Sequence, residues 1–149
     1  MSIIDEKDRK ILDVLSEHAD YTTRQIAKKT LLPVTTIHNR IKKLRKEGII
    51  KRYTVDLDHK KLGKGLFVII MVSVDYKALR DLKKDQHMLA KELKKLGAVE
   101  KVYTVTGGTD MVVRARVKDM EEYDLFLLKK LQKLRGIDKT QTLVVMHEK

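Results

Sequence analysis

The sequence predicts an α+β chain in two parts, an N-terminal set of short helices and a C-terminal β-α-β-β-α-β unit. Three observations carry that prediction. Apolar residues recur at helical spacing from Asp5 to Leu44, interrupted twice by turn chemistry. A polar stretch with two glycines, DLDHKKLGKG (Asp56 to Gly65), then divides the chain. Beyond it, strand-like runs alternate with amphipathic helices.

From Asp5 to about His18, Ile11, Leu12 and Leu15 lie at helical spacing, and Asp5 with Asp8 supplies an acidic first turn that suits the helix dipole. Thr22 to Gln25 has the Thr-x-x-Gln form of a capping box and opens a second helix, which ends near Thr30. Pro33 disfavours helical geometry in the residue before it and suits the first turn of a third helix, from about Val34 to Gly48. Ile50, Tyr53, Val55 and Leu57 then alternate as in a strand or wing.

In the second part, LFVIIMVSV (66–74) is an almost unbroken apolar run and predicts a strand buried on both faces. A helix is expected from about Ala78 to Leu96, carrying Leu79, Leu82, Leu89, Leu93 and Leu96 on one side. Ala98 to Thr106 and Met111 to Val117 predict two strands joined through GGTD, followed by a helix from Met120 to about Leu134 and a last strand from Thr140 to His147. This order is the ferredoxin-like split arrangement. The expected domains are residues 1–55, a hinge at 56–65, and residues 66–149.

The chain of 149 residues suffices for one good core or two small ones. Its apolar content of 42% is too high for a disordered chain. No apolar run approaches the roughly 20 residues that span a bilayer, so no membrane partner is expected. The acidic start MSIIDEKDRK lacks the features of a secretory signal, and the absence of cysteine fits a reducing compartment. A cytoplasmic, nucleoid-associated protein is expected.

Charge narrows the function. The net charge is +12, but residues 1–20 hold three basic and six acidic side chains, whereas residues 21–52 hold ten basic residues and one acid. That block reads as the electrostatic footprint of a polyanion. On a helix, Val34, Ile37, Ile41 and Leu44 share one apolar stripe, and Thr35, Thr36, Asn39, Lys42, Lys43 and Lys46 fall on the far side, flanked by His38 and Arg40. Asn39, the only asparagine in the chain, is of the type that bonds adenine in a bidentate way, while lysine and threonine more often fix position on phosphates. Two helices joined by a tight turn, the second basic on its outer face, form a helix-turn-helix for double-stranded DNA. The scattered histidines and missing glycine-rich and nucleophile motifs predict no metal, no cofactor and no catalytic constellation.

The segments DEKDRKIL, TTRQIAKKTLL, TTIHNRIKKLRKEGIIKRYTVDLD and KLG, followed by the βαββαβ half, resemble the Lrp/AsnC (feast/famine) transcriptional regulators over nearly the whole chain. The resemblance implies a winged helix-turn-helix joined by a hinge to a RAM-type domain for dimerisation and amino-acid sensing. It places Thr35, Thr36, His38, Asn39, Arg40, Lys42 and Lys43 in a recognition helix. It also implies a homodimer or octamer and an effector pocket bordered by Gly107, Gly108, Thr109 and Asp110, which match a Gly-x-x-Asp spacing. Taken without the resemblance, that turn reads as a plain hairpin. Pro33 departs from the capping serine frequent in the family. The expected function is a sequence-specific DNA-binding regulator. The alternatives are a nonspecific architectural DNA-binding protein and, behind it, an amino-acid-binding module or enzyme.

Overall fold

The computed structural model describes residues 3–148. They form two compact units, divided between Asp56 and Leu57.

The first unit is built from α1 (Glu6–Glu17), α2 (Thr23–Thr30) and α3 (Val34–Lys46). The capping box expected at Thr22 forms, and the acidic first turn expected at Asp5 and Asp8 proves to be a second one. Asp5 and Asp8 cap α1 reciprocally, and Thr22 and Gln25 do the same for α2. Leu31, in the left-handed conformation at φ 57°, ends α2 and turns the chain into α3. At the other end of α3 the Ile49 N–H donates to Leu44 O at 2.9 Å and the Gly48 N–H to Arg45 O at 3.1 Å, the paired bonds of a Schellman cap. Ile11, Leu15, Ile26 and Ile37 form the core, each buried aliphatic side chain contributing about 1.5–3 kcal/mol. Val34, expected in this stripe, is instead exposed at the start of α3.

No strand forms where Ile50 to Leu57 alternate. Tyr53, Val55 and Leu57 are all exposed. A strand requires a hydrogen-bonded neighbour, and the described residues of this unit contain no other strand to provide one. Farther on, Asp58 to Lys64 coil into a hydrogen-bonded turn, with the Leu62 N–H on Asp58 O and the Lys64 N–H on His59 O.

The second unit has β1 (Leu66–Val74), α4 (Tyr76–Asp81), α5 (Gln86–Lys94), β2 (Val99–Thr104), β3 (Met111–Val117), α6 (Met120–Phe126) and β4 (Ile137–Val144). The strands form one antiparallel sheet in the order β2-β3-β1-β4, as a ferredoxin-like βαββαβ unit requires. Val68, Ile70, Val72 and Val74 on β1 join Met111, Val113 and Ala115 on β3 under Leu79, Leu89, Leu93 and Phe126. β1 is therefore buried along its length on one face only; on the other, Phe67 is covered by the Arg114 and Arg116 guanidinium groups while Ile69, Met71 and Ser73 are half-buried.

Three expectations change here. The single helix over 78–96 is two helices, because Lys83 turns left-handed at φ 52° and the Asp85 side chain caps a new start by accepting the Met88 N–H at 2.8 Å. The helix expected to reach Leu134 runs as α6 and then as a π-helical turn over Leu127–Leu131. The last strand begins at Ile137 rather than Thr140, since Ile137 pairs with Val74 and the Gly136 carbonyl accepts the Asp75 N–H at 2.9 Å. Gly136 sits at φ +111°, and a Cβ there would meet Leu79 Cδ2 at 2.4 Å, so both backbone and space demand glycine.

Candidate nucleic-acid interface and sensor turn

The phase of α3 is fixed by Ile37 and Leu44, buried at 0% and 1% exposure. Opposite them Thr35, His38, Asn39, Lys42, Lys43 and Lys46 are all exposed, and among the described residues none of their side chains has a hydrogen-bond or ion-pair partner. Thr36 sits at the border and is half-buried. The Pro33 cap offers no side-chain acceptor. The first N–H groups of α3 therefore stay unsatisfied, at the end where the helix dipole attracts anions. This surface joins cations for phosphates, one amide for a base edge and a short hydroxyl, with nothing in its own unit consuming them.

Arg40 is the exception among the residues expected to touch DNA. Its Nη1 donates to both carboxylate oxygens of Asp5 at 2.6 Å and to Asp8 Oδ1 at 2.9 Å. It thus ties the middle of α3 to the N-terminus of α1 through Nη1. Asp8 is 1% exposed, so this contact neutralises a buried carboxylate. The Arg40 hydrogen bonds hold the Asp5 carboxyl down at about 2, below its ordinary 3.8, and the same bonds raise the Arg40 pKa. The sequence signal was available in part, because Arg40 lies on the flank of α3 beside the core stripe.

The turn between β2 and β3 is more self-contained. Gly107 takes φ +121°, and Gly107 and Gly108 are exposed. Thr109 Oγ1 donates to Val72 O at 3.0 Å. Asp110 accepts the Val74 N–H on Oδ2 and the Tyr76 hydroxyl on Oδ1, each at 2.8 Å, and this hydroxyl bond raises the Tyr76 pKa. The Asp110 N–H and C=O bond Val72 O and Gln86 Nε2. The aspartate thus laces the hairpin to the end of β1. Beside the turn, Gly108 and Thr109 meet Met71, Ser73, Lys139 and Gln141 around an open cavity of about 520 Å³. Among the described residues no cluster of His, Asp and Glu suits a metal ion, and no helix is long and apolar enough to cross a membrane.

Residues 4–51 match the family model described as winged helix-turn-helix DNA-binding, and residues 68–149 match the one described as Lrp/AsnC ligand binding domain. An uncharacterised helix-turn-helix transcriptional regulator of Pyrococcus furiosus is 38% identical, the alignment covering 96% of this chain and 91% of that one. Among solved structures, the Neisseria meningitidis transcriptional regulator NMB0573 in complex with L-Met aligns with TM-score 0.86 at 28% identity, over 97% of this chain and 91% of that one. Escherichia coli AsnC aligns with TM-score 0.82 at 26% identity, over 99% of this chain and 95% of that one.

Proposed function

The chain belongs to the Lrp/AsnC family of transcriptional regulators, and from that premise we propose that it reads a specific duplex sequence through the outer face of α3. The observation that carries this reading is the set of exposed, unpartnered Thr35, His38, Asn39, Lys42, Lys43 and Lys46 side chains on one helix face. Lysines neutralise phosphates and supply affinity; Asn39 discriminates by bonding a base edge. Selection of bound duplexes from a random pool tests it. The reading expects a defined enriched motif with dyad symmetry and half-sites about one helical turn apart. Enrichment of no motif would favour nonspecific architectural binding.

The protein works in this reading as a homodimer or a larger assembly in the cytoplasm, on the nucleoid. Support comes from β1, whose apolar outer residues Ile69 and Met71 lie on the sheet face opposite the helices. Phe126 is 4% exposed and belongs to the core, whereas Leu125 and Leu128 are exposed. A free amino acid is the proposed effector, bound between C-terminal domains at Gly107 to Asp110. The exposed glycine backbone, the adjoining cavity and the L-Met held by the Neisseria regulator support this. Such an effector acts only if it prefers one assembly state. Calorimetry with the twenty amino acids, alongside sedimentation, expects one or a few to bind and shift the oligomer; no heat from any would leave the turn as scaffold.

A further inference from the structure

Glu122, Leu125, Phe126, Lys129 and Lys130 follow one another at the spacings that share a side of a helix. They wall a cleft of about 410 Å³, whose opposite side is Gly97, Ala98 and Val117. This is the far end of the β2–β3 hairpin from the turn at Gly107 to Asp110. The volume falls within the roughly 300–1,000 Å³ of small-molecule sites.

The floor of the cleft is apolar and its rim is cationic. Leu125 is 48% exposed despite its size. Lys64, Lys129 and Lys130 line the cleft, and among the described residues none of the three is in an ion pair. Lys64 is anchored by the turn that precedes β1, where its N–H meets His59 O at 2.8 Å. The Arg116 guanidinium, by contrast, is already committed, with Nη2 donating to Glu148 at 2.7 and 2.8 Å and the group lying 4.1 Å from the Phe67 ring. The one acid, Glu122, uses Oε2 to accept the Lys118 N–H. Both Lys129 and Lys130 sit on the π-helical turn, closed by the Gln132 N–H on Leu127 O at 2.9 Å. Single π-helical turns of this kind are frequent at functional sites.

We infer that this cleft binds a small organic carboxylate with an apolar body and no ammonium group, such as a 2-oxo or aryl acid. The lysines attract the carboxylate, and the Leu125, Phe126 and Val117 surface takes the hydrocarbon. An amino acid fits less well, because its ammonium would lie among three unpaired lysines with Glu122 the single acid to offset them. The inference goes beyond the amino-acid reading of the turn and does not rest on it.

Calorimetry on the full chain tests it with phenylpyruvate, 4-methyl-2-oxopentanoate and indole-3-acetate, against phenylalanine, leucine and inorganic phosphate. At least one acid should bind at millimolar concentration or below, with its amino counterpart and phosphate about tenfold weaker or more. The double variant Lys129→Ala/Lys130→Ala should lose that binding while keeping the parent chain's thermal unfolding and sedimentation, which report a folded C-terminal unit, and Asp110→Ala should keep acid binding. Leu125→Asp should lose it too. Absence of binding by all three acids, equal affinity for phenylalanine or phosphate, or binding that survives the lysine variant and fails with Asp110→Ala would each overturn the inference.

Discussion

The outer face of α3 and the turn at Gly107 to Asp110 carry comparable polar chemistry, yet they differ in what their groups already do. On α3, Thr35, Asn39 and the lysines face solvent with no partner in the described chain. At the turn, both oxygens of Asp110, its N–H and its C=O are all taken. The difference teaches that a side chain offers itself to a ligand where its hydrogen-bonding capacity is unspent, so at the turn the exposed backbone of Gly107 and Gly108, rather than the Asp110 carboxylate, is what an effector would find open. Arg40 makes the same point within a single helix: it sits next to Asn39 in sequence and spends its charge on Asp5 and Asp8.

The contrast can be broken by substitution. The largest effect is expected from Lys42→Ala/Lys43→Ala/Lys46→Ala, which should weaken binding to any duplex by roughly a hundredfold and flatten the slope of affinity against salt by about 2–3. Unchanged salt dependence would remove α3 from the phosphate contacts. Next, Arg40→Ala should lower the unfolding free energy of the N-terminal unit by about 2–3 kcal/mol in urea titrations, because it strands the buried Asp8 carboxylate. A loss of DNA affinity with no loss of stability would return Arg40 to the interface. Asp110→Ala should cost about 1–2 kcal/mol with no effector present, since it leaves the part-buried Val74 N–H unpaired. A fully stable variant would mean that the carboxylate is held for a ligand.

The smallest effect is on acid stability. Asp5 has a folded pKa of about 2 against an ordinary 3.8, so its ionised form stabilises the fold. That contribution is present above about pH 4 and is lost as pH falls toward 2. Arg40→Ala should therefore flatten the fall in stability between pH 4 and 2, relative to the parent chain. An identical slope in both proteins would show that the Asp5–Arg40 contact does not persist in solution.

How much could be read from sequence follows from how local each feature is. The capping box at Thr22, the acidic first turn at Asp5 and the phase of α3 depend on residues three or four apart, and they stand in the sequence plainly. The strand Met111 to Val117 is equally plain from its β-rich run. The partners of Arg40 lie 35 and 32 residues away, and those of Asp110 lie 36 and 34 away, so no periodicity reveals them. The leucine spacing continued across Leu82 to Asp85 and hid the break that Lys83 and Asp85 make. The edge strand β4 takes its start from pairing with β1, a tertiary choice that its own alternation does not encode.

The central claim is that the unspent face of α3 reads sequence, and Asn39 tests it most directly. Affinity of the parent chain, Asn39→Ala and Lys43→Ala should be measured against the selected duplex and against each single-base variant of it, at several salt concentrations. Asn39→Ala is predicted to lose about 1–3 kcal/mol on the selected duplex and to become indifferent to the base at one position, with an unchanged salt slope. Lys43→Ala is predicted to weaken every duplex alike and to reduce the slope by about 1. Equal, sequence-independent losses for both variants would contradict the account.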